Sequence, residues 1–252
     1  MSEAKIVTAC VLIIGNEILS GRTQDINLAY IAKRLNELGI RMREARVIPD
    51  IEATIVATLN EVRAKFDYIF TTGGIGPTHD DITSECVAKA FGRKLILHPR
   101  AHEILRKRYA NPADLNEARL RMAHMPEGSE LVENPISGAP GYRTENVFVL
   151  AGVPKIMQAM FESLTPLLTG GAPILSRAVS AQIAEGVIAK DLGALQERYA
   201  DLDIGSYPWY RGGRFGTALV MRGTDAAKLE ACAAELKTMI RRLGAEPADE
   251  PV

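Results

Sequence analysis

The sequence predicts an α/β fold, in which a parallel sheet lies between two layers of helices, followed by a small carboxyl-terminal α+β domain. Apolar runs of strand length alternate with helical segments through the first half of the chain, as in strand–helix–strand units. After residues 169–173, which are rich in glycine and proline, the order becomes strand, helix, strand, strand, helix. We therefore expect domains at residues 1–168 and 174–245 and a flexible tail at 246–252.

Three strands and two helices are predicted at the start of the chain. Residues 6–14 form a continuous apolar run, which is typical of a strand buried on both faces. Residues 41–48 and 68–72 are the next two strands. Residues 27–38 and 51–66 carry apolar side chains at helical spacing and connect these strands.

The remaining elements follow from the same patterns. The first domain continues with helices and one further strand, and the second domain combines two helices with a partly antiparallel sheet. The predicted helices are residues 82–91, 98–109, 114–125, 186–200 and 225–243, with another that ends at residue 164. The predicted strands are residues 146–150, 175–184, 203–207 and 217–222.

Composition excludes several classes of protein. Lys and Arg number 30 against 31 acidic residues, so no basic excess indicates binding to nucleic acid. The 3 cysteines are far apart and odd in number, which argues against a disulfide framework and fits a reducing compartment. The first apolar run is too short for a membrane span. We expect a soluble, cytoplasmic protein without a membrane partner.

A glycine-rich loop between the third strand and the next helix is the most informative feature. Gly73, Gly74 and Gly76 allow the backbone to approach a ligand closely, and Pro77 stiffens the turn. A turn of this kind at the start of a helix presents unpaired N–H groups, which attract phosphate. The loop therefore predicts a phosphate site.

Two aspartates stand beside this loop. Asp80 and Asp81 would repel a phosphate unless a divalent cation bridged them to it, so both are candidate metal ligands. Asp81 has an alternative role as the amino-terminal cap of the following helix.

Further polar residues follow the first two strands, at the sheet edge where ligands bind in open α/β proteins. Glu17 and Asp25 are candidates to hold a metal or orient water, although Glu17 could be solvated. Asn27 and Asp50 are candidate binding residues at the same edge. Asp25 or Asn27 could instead cap the next helix, and the spacing favours Asp50 as a cap of the helix that starts at residue 51.

A second glycine- and proline-rich segment covers residues 134–142. Its hydroxyl and backbone groups could hold a polar ring or a phosphate, and the alternative is a simple connection. The candidate binding residues in it are Ser137, Gly138, Ala139, Pro140 and Gly141.

Taken together, these motifs resemble the competence/damage-inducible protein A (CinA) family, within the molybdopterin-binding fold shared with MoaB, MogA and MoeA. The module is also similar to the amino-terminal domain of eukaryotic FAD synthases. The matching segments are GNEILSG at 15–21 with Asp25 and Asn27, TGGIGPTHDD at 72–81, SGAPG at 137–141 and GVP at 152–154. Asn16 and Ala151 depart from the family pattern, which has aspartate and proline there.

The resemblance implies roles for particular residues. Gly73, Gly74, Gly76 and Thr78 would hold phosphate, and Asp81 would correspond to the essential acidic residue of molybdopterin-adenylylating relatives. Residues 137–141 would line the opposite side of the pocket. Relatives form dimers or trimers, which implies a homo-oligomer.

For function, the resemblance implies a divalent-metal-dependent nucleotide pyrophosphatase acting on a substrate such as ADP-ribose or FAD. One alternative is a non-catalytic protein that binds molybdopterin or a nucleotide. A second alternative is a molybdopterin adenylyltransferase. In each case the ligand is a small nucleotide or pterin phosphate.

Overall fold

The computed structural model describes residues 6–109 and 111–251 and divides the chain into two compact units, Met1–Gly171 and Ala172–Val252. The strands of the first unit are β1 (Val7–Ile14), β2 (Ile40–Ile48), β3 (Tyr68–Thr72), β4 (Leu95–Leu97), β5 (His124–Pro126), β6 (Glu130–Val132), β7 (Gly141–Thr144) and β8 (Val147–Leu150). Its α-helices are α1 (Asn16–Leu19), α2 (Asn27–Glu37), α3 (Glu52–Arg63), α4 (Thr83–Ala90), α5 (Pro99–Arg108), α6 (Glu117–Leu120) and α7 (Pro154–Leu164).

The central sheet of the first unit has the order β2-β1-β3-β8-β7-β6. The first four strands are parallel, and β7 and β6 are antiparallel additions at one edge. Alternate residues of β1 enter opposite cores: Leu12 packs with helices α3 and α4, and Val11 packs with α2 and α7. The predicted three-layer fold with a mainly parallel sheet is confirmed.

This strand order determines where a ligand can bind. The chain passes from β1 to β2 on one side, and β3 lies on the other side of β1. Because β1, β3 and β8 are parallel, their carboxyl ends meet at one edge of the sheet. Ligands of open α/β sheets bind at such a reversal of strand order.

The prediction of a single helix at residues 114–125 is wrong. The structure has the short α6, one 3-10 turn at Arg121–Ala123, and then β5, which pairs with β4. The Asn116 side chain accepts a hydrogen bond from the N–H of Arg119 (3.0 Å) and so starts α6 separately. The pairing of β5 with β4 breaks the helical pattern, and Met125 is buried in the core.

The second unit is a small α+β domain. It contains β9 (Leu175–Ala181), α8 (Glu185–Arg198), β10 (Asp203–Arg211), β11 (Arg214–Gly223), α9 (Ala226–Arg242) and β12 (Pro247–Glu250). The sheet order is β10-β11-β9-β12, with all neighbours antiparallel. Strands β10 and β11 are longer than predicted because Gly212 and Gly213, with φ of 57° and 79°, form a tight turn between them.

The tail predicted to be flexible at residues 246–252 is structured over most of its length. Residues 247–250 form β12 and pair with the free edge of β9. Pro247 is the first residue of this edge strand, a position that proline tolerates. Asp249 also forms an ion pair with Lys237 of α9 (2.6 Å). Among the described residues, no helix combines the length and apolar character needed to cross a bilayer.

Candidate functional site

The loop after β3 approaches the end of β1 so closely that its first residue must be glycine. Gly73 has a φ of 100°, and a Cβ on it would lie 2.2 Å from the carbonyl oxygen of Ile14. Its N–H donates to the carbonyl of Leu150 at the end of β8 (3.1 Å). Three parallel strand ends therefore meet at Gly73, in a backbone conformation that glycine adopts without strain.

Thr83, the first residue of α4, fixes this loop to the helix. The buried Thr83 hydroxyl donates to the Gly73 carbonyl (3.1 Å), and the Thr83 N–H donates to the Gly74 carbonyl (3.0 Å). The amide N–H groups of Gly74, Ile75 and Gly76, by contrast, have no hydrogen-bond partner among residues 6–109 and 111–251. Successive free amides of this kind attract anions.

Asp81 is held inside the loop rather than at the helix terminus. Its Oδ2 accepts hydrogen bonds from the N–H (2.8 Å) and the hydroxyl of Thr78. The amino-terminal cap of α4 is Ile82, and no side chain hydrogen-bonds there, so the capping alternative for Asp81 is wrong. Asp81 Oδ1 makes no hydrogen bond within the described residues. That oxygen is free to contact a ligand.

Asp80 lies outside the loop interior and is exposed. The neighbouring Thr78 side chain, whose hydroxyl proton goes to Asp81, and then the backbone of Asp80 itself lower the pKa of Asp80. The structure therefore does not bring Asp80 and Asp81 together on one surface of a cavity. Within the described part of the chain, no group of three or more His, Cys, Asp or Glu side chains is arranged to hold a metal ion.

The segment after β1 contributes Glu17 to the site and uses Asp25 structurally. Glu17 lies on α1, and its carboxylate folds back to within 2.6 Å of where a Cβ on Gly15 would be. Asp25 Oδ1 accepts from the N–H of Leu28 (2.9 Å) in the first turn of α2. The capping alternative therefore applies to Asp25.

Asn27, the first residue of α2, connects the segment after β1 to the turn after β8. Its Nδ2 donates to the Gly152 carbonyl (2.8 Å), and its side chain is buried. Gly152 in turn lies against Gly73, with 3.3 Å between a built Cβ and the Gly73 Cα. Asn27 makes no capping bond to α2, and its buried Oδ1 has no partner in the described structure. The side chain positions the site wall instead.

The predicted capping role of Asp50 is wrong. No side chain caps α3, whose amino-terminal cap is Ile51. Asp50 Oδ2 instead accepts from the N–H of Asn16 (2.8 Å) and so connects the end of β2 to α1. This bond satisfies one of the free donors at the start of α1.

Asn134 organises the segment that faces the glycine loop. Its Nδ2 donates to the Ala139 carbonyl (2.7 Å) and to the Ser137 hydroxyl, and its Oδ1 accepts from the N–H groups of Ile136 and Ser137, both at 3.1 Å. The Asn134 side chain is buried. A Cβ on Gly141 would lie 2.5 Å from the carbonyl oxygen of Val149, so Gly141 permits close backbone packing.

These loops enclose a cavity of about 330 Å³. Of the residues predicted for the site, those that line it are Glu17, Gly73, Gly74, Gly76, Asp81, Ser137, Ala139 and Pro140. Those that do not are Asp25, Asn27, Asp50, Pro77, Thr78, Asp80, Gly138 and Gly141. Sequence reasoning missed the apolar wall of Met122, Val153, Ile156 and Met160, of which Ile156 and Met160 are one helical turn apart. Among the residues that the structure describes, no Lys, Arg or His lines this cavity.

A larger cavity, about 710 Å³, lies beside α5 and shares only Asn134 and Pro140 with the first. Neither the glycine loop nor Asp81 reaches it, and its Lys107 pairs with Glu103 (2.7 Å). We therefore take the smaller cavity, which contains the free amides, as the candidate site.

Comparison with protein families agrees with this architecture. Residues 10–170 match the family model described as "Probable molybdopterin binding domain". The chain belongs to this molybdopterin-binding-domain family. Residues 173–248 match a second model, described as "FAD synthase, middle domain". The second match covers the small α+β domain.

Several archaeal proteins are similar in sequence to this chain. One from Pyrobaculum calidifontis is 40% identical over 172 residues, which cover 66% of this chain and 66% of that protein. One from Thermococcus kodakarensis is 37% identical over 234 residues, which cover 87% of this chain and 92% of that protein.

A solved structure is also similar. The crystal structure of CinA from Thermoplasma acidophilum, a protein with unknown function, has 34% sequence identity and a TM-score of 0.59. The match covers 63% of this chain and 97% of that one. The resemblance to CinA is confirmed.

Proposed function

We propose that this chain is a divalent-metal-dependent nucleotide pyrophosphatase that hydrolyses a substrate such as ADP-ribose or FAD. The free amides of Gly74, Ile75 and Gly76 carry the proposal, because they adjoin a cavity lined by the carboxylates of Asp81 and Glu17 and, within residues 6–109 and 111–251, by no cationic side chain. Amides bind phosphate oxygens, but the two nearby carboxylates would repel a phosphate unless a cation were bound between them. Mg²⁺ typically binds through one or two carboxylates together with substrate phosphates, so these residues suit such an ion.

In this proposal the chain orients both the pyrophosphate and the attacking water. The amides of the loop hold phosphate oxygens, and Thr78 fixes Asp81 through Oδ2, which leaves Oδ1 as the atom that would hold the ion. The ion would neutralise charge that develops on the phosphate. Glu17 accepts a proton from water as the water oxygen bonds to phosphorus. The bridging P–O bond then breaks, and ADP-ribose and water yield AMP and ribose 5-phosphate.

Non-catalytic binding of molybdopterin or a nucleotide is the second candidate. The description of the matching family favours it, since that family is named for binding rather than for hydrolysis. The same loop amides would then hold the phosphate of the pterin. Adenylylation of molybdopterin is a third candidate for the same cavity.

The test is AMP release from ADP-ribose and FAD by the full chain with Mg²⁺, Mn²⁺, Co²⁺ or Ni²⁺, and with EDTA. We expect metal-dependent AMP release that Asp81→Asn abolishes. Asp114 is exposed and lines neither cavity, so Asp114→Asn should retain metal-dependent AMP release. Asp80→Asn shows whether the second aspartate takes part.

Two outcomes would contradict hydrolysis. Ligand binding without AMP release under any metal would support the binding candidate. ATP-dependent modification of molybdopterin, without hydrolysis of ADP-ribose, would support the adenylyltransferase.

A further inference from the structure

A second cavity, of about 300 Å³, borders the same turn of the glycine loop. Ile75, Gly76 and Asp81 line both this cavity and the 330 Å³ cavity of the candidate site. A phosphate bound at the Gly76 amide would therefore lie where two compartments adjoin. We call them the site cavity and the second cavity.

The two compartments differ in chemistry. The site cavity has an apolar wall that includes Met122, Ile156 and Met160, which suits the flat ring of a base. The second cavity also has apolar lining residues, among them Leu95 and Leu120, and it adds polar and charged side chains, namely Ser84, Glu85, Glu117, Arg121 and His124. Carboxylates and hydroxyls of this kind suit the hydroxyl groups of a sugar, as the acidic residue that binds ribose in dinucleotide sites does.

Several of these polar groups are positioned in advance. The buried Tyr142 hydroxyl donates to Ser84 Oγ (3.1 Å), which leaves the Ser84 proton available for a ligand. His124 Nδ1 lies 3.0 Å from the Leu120 carbonyl, to which it donates, and this bond fixes the orientation of the ring.

Arg121 is committed within the protein. Its Nη2 donates to the Asp81 carbonyl (3.4 Å) and lies 3.6 Å from Glu85 Oε1. With Arg121 paired to Glu85, the carboxylate of Glu117, which has no ion-pair partner among the described residues, gives the second cavity a negative character. A terminal phosphate is therefore disfavoured there, and a neutral polyol is not.

We propose that the ligand is a pyrophosphate substituted at both ends, with its nucleoside in the site cavity and a sugar or sugar-like polyol in the second cavity. Hydroxyl groups of the polyol donate to Glu85 and Glu117 and accept from Ser84. The placement of the pyrophosphate at Gly76 and Asp81 rests on the proposed function. The chain would then distinguish ADP-ribose from ADP by the group beyond the second phosphate.

The test is calorimetric binding of AMP, ADP and ADP-ribose to the full chain with Mg²⁺. We expect ADP-ribose to bind about tenfold more tightly than ADP, which corresponds to about 1.4 kcal/mol. Glu85→Gln combined with Glu117→Gln should weaken ADP-ribose about tenfold and leave AMP unchanged. The same change frees Arg121 and should tighten ADP. Glu127→Gln, exposed and outside both cavities, is the matched control.

The outcomes separate this inference from the proposed activity. Equal binding of ADP and ADP-ribose, or equal weakening of AMP and ADP-ribose in the variant, overturns the sugar compartment even if AMP is released. Discrimination between ADP and ADP-ribose without AMP release supports the compartment and contradicts hydrolysis. Failure of the parent to bind any of the three nucleotides overturns both.

Discussion

The carboxylate of Asp81 lies directly against Gly76: a Cβ on Gly76 would be 2.7 Å from Oδ2 and 3.0 Å from Oδ1 of Asp81. Thr78 holds Oδ2 by two hydrogen bonds, so the carboxylate cannot retreat without breaking them. The absence of a side chain at position 76 therefore determines where the charge of Asp81 is placed.

Gly76→Ala should displace Asp81 and lower AMP release by about tenfold or more, since small misplacements of catalytic groups are costly. The φ of Gly76 is not positive, so the substitution does not strain the backbone, and the free energy of unfolding should fall by no more than about 2 kcal/mol, the contribution of the two hydrogen bonds from Thr78. AMP release and the free energy of unfolding are measured on the same preparation. The control is Gly193→Ala in α8, which meets no atom within 4 Å and should stabilise by about 1 kcal/mol without affecting activity. Full activity of Gly76→Ala would contradict the role of Asp81.

Asn134→Ala should lower the free energy of unfolding by about 2 kcal/mol, because it removes several hydrogen bonds of a buried side chain. It should also weaken nucleotide binding, because Ser137, Ala139 and Pro140 lose their support. Urea unfolding and calorimetric titration measure the two effects. Asn60→Ala, at an exposed site with one bond to Arg63, should change stability by less than about 0.5 kcal/mol. Equal effects of the two substitutions would show that Asn134 is not a positioning residue.

The thiols should be inert in the folded protein. Burial raises the pKa of Cys10 to about 12 and those of Cys86 and Cys232 to about 11. A disulfide reagent at pH 8 should therefore modify them only as the protein unfolds, since the thiolate is the reactive form. Complete reaction of all 3 cysteines is expected in urea. Rapid native-state modification of any one would contradict its burial.

Acid should remove a contribution of Glu61 to stability. Hydrogen bonds from Arg46, at 2.7 and 2.8 Å, and then from Lys65, lower the pKa of Glu61 to about 2 from the ordinary 4.5. Because the folded pKa is the lower one, the contribution is present above pH 4.5 and is lost as the pH falls towards 2. In urea unfolding, Glu61→Gln should be less stable than the parent at pH 7 and match it near pH 2. If the difference in the free energy of unfolding between Glu61→Gln and the parent stayed constant with pH, the lowered pKa of Glu61 would not contribute to stability.

The early strands could be predicted because burial on both faces requires continuous apolar residues, as in β1. The region of β5 could not, because residues 114–125 have helical spacing and only the pairing of Leu97 with His124 makes the end of that segment extended. The strand at residues 247–250 escaped prediction for a similar reason. Its polar sequence forms a strand only because the edge of β9 accepts it.

At the site, the sequence alone determined those features that depend only on residues adjacent in the chain. Gly73, Gly74 and Gly76 in a short loop before a helix predict a close backbone approach wherever they occur. Only the tertiary structure decided which neighbouring side chains face the cavity. Asn27 bonds to Gly152, 125 residues away, and Asp50 bonds to Asn16, 34 residues away. Hydrogen bonds over such separations depend on how the strands are ordered in the sheet, and no local pattern of residues carries that information.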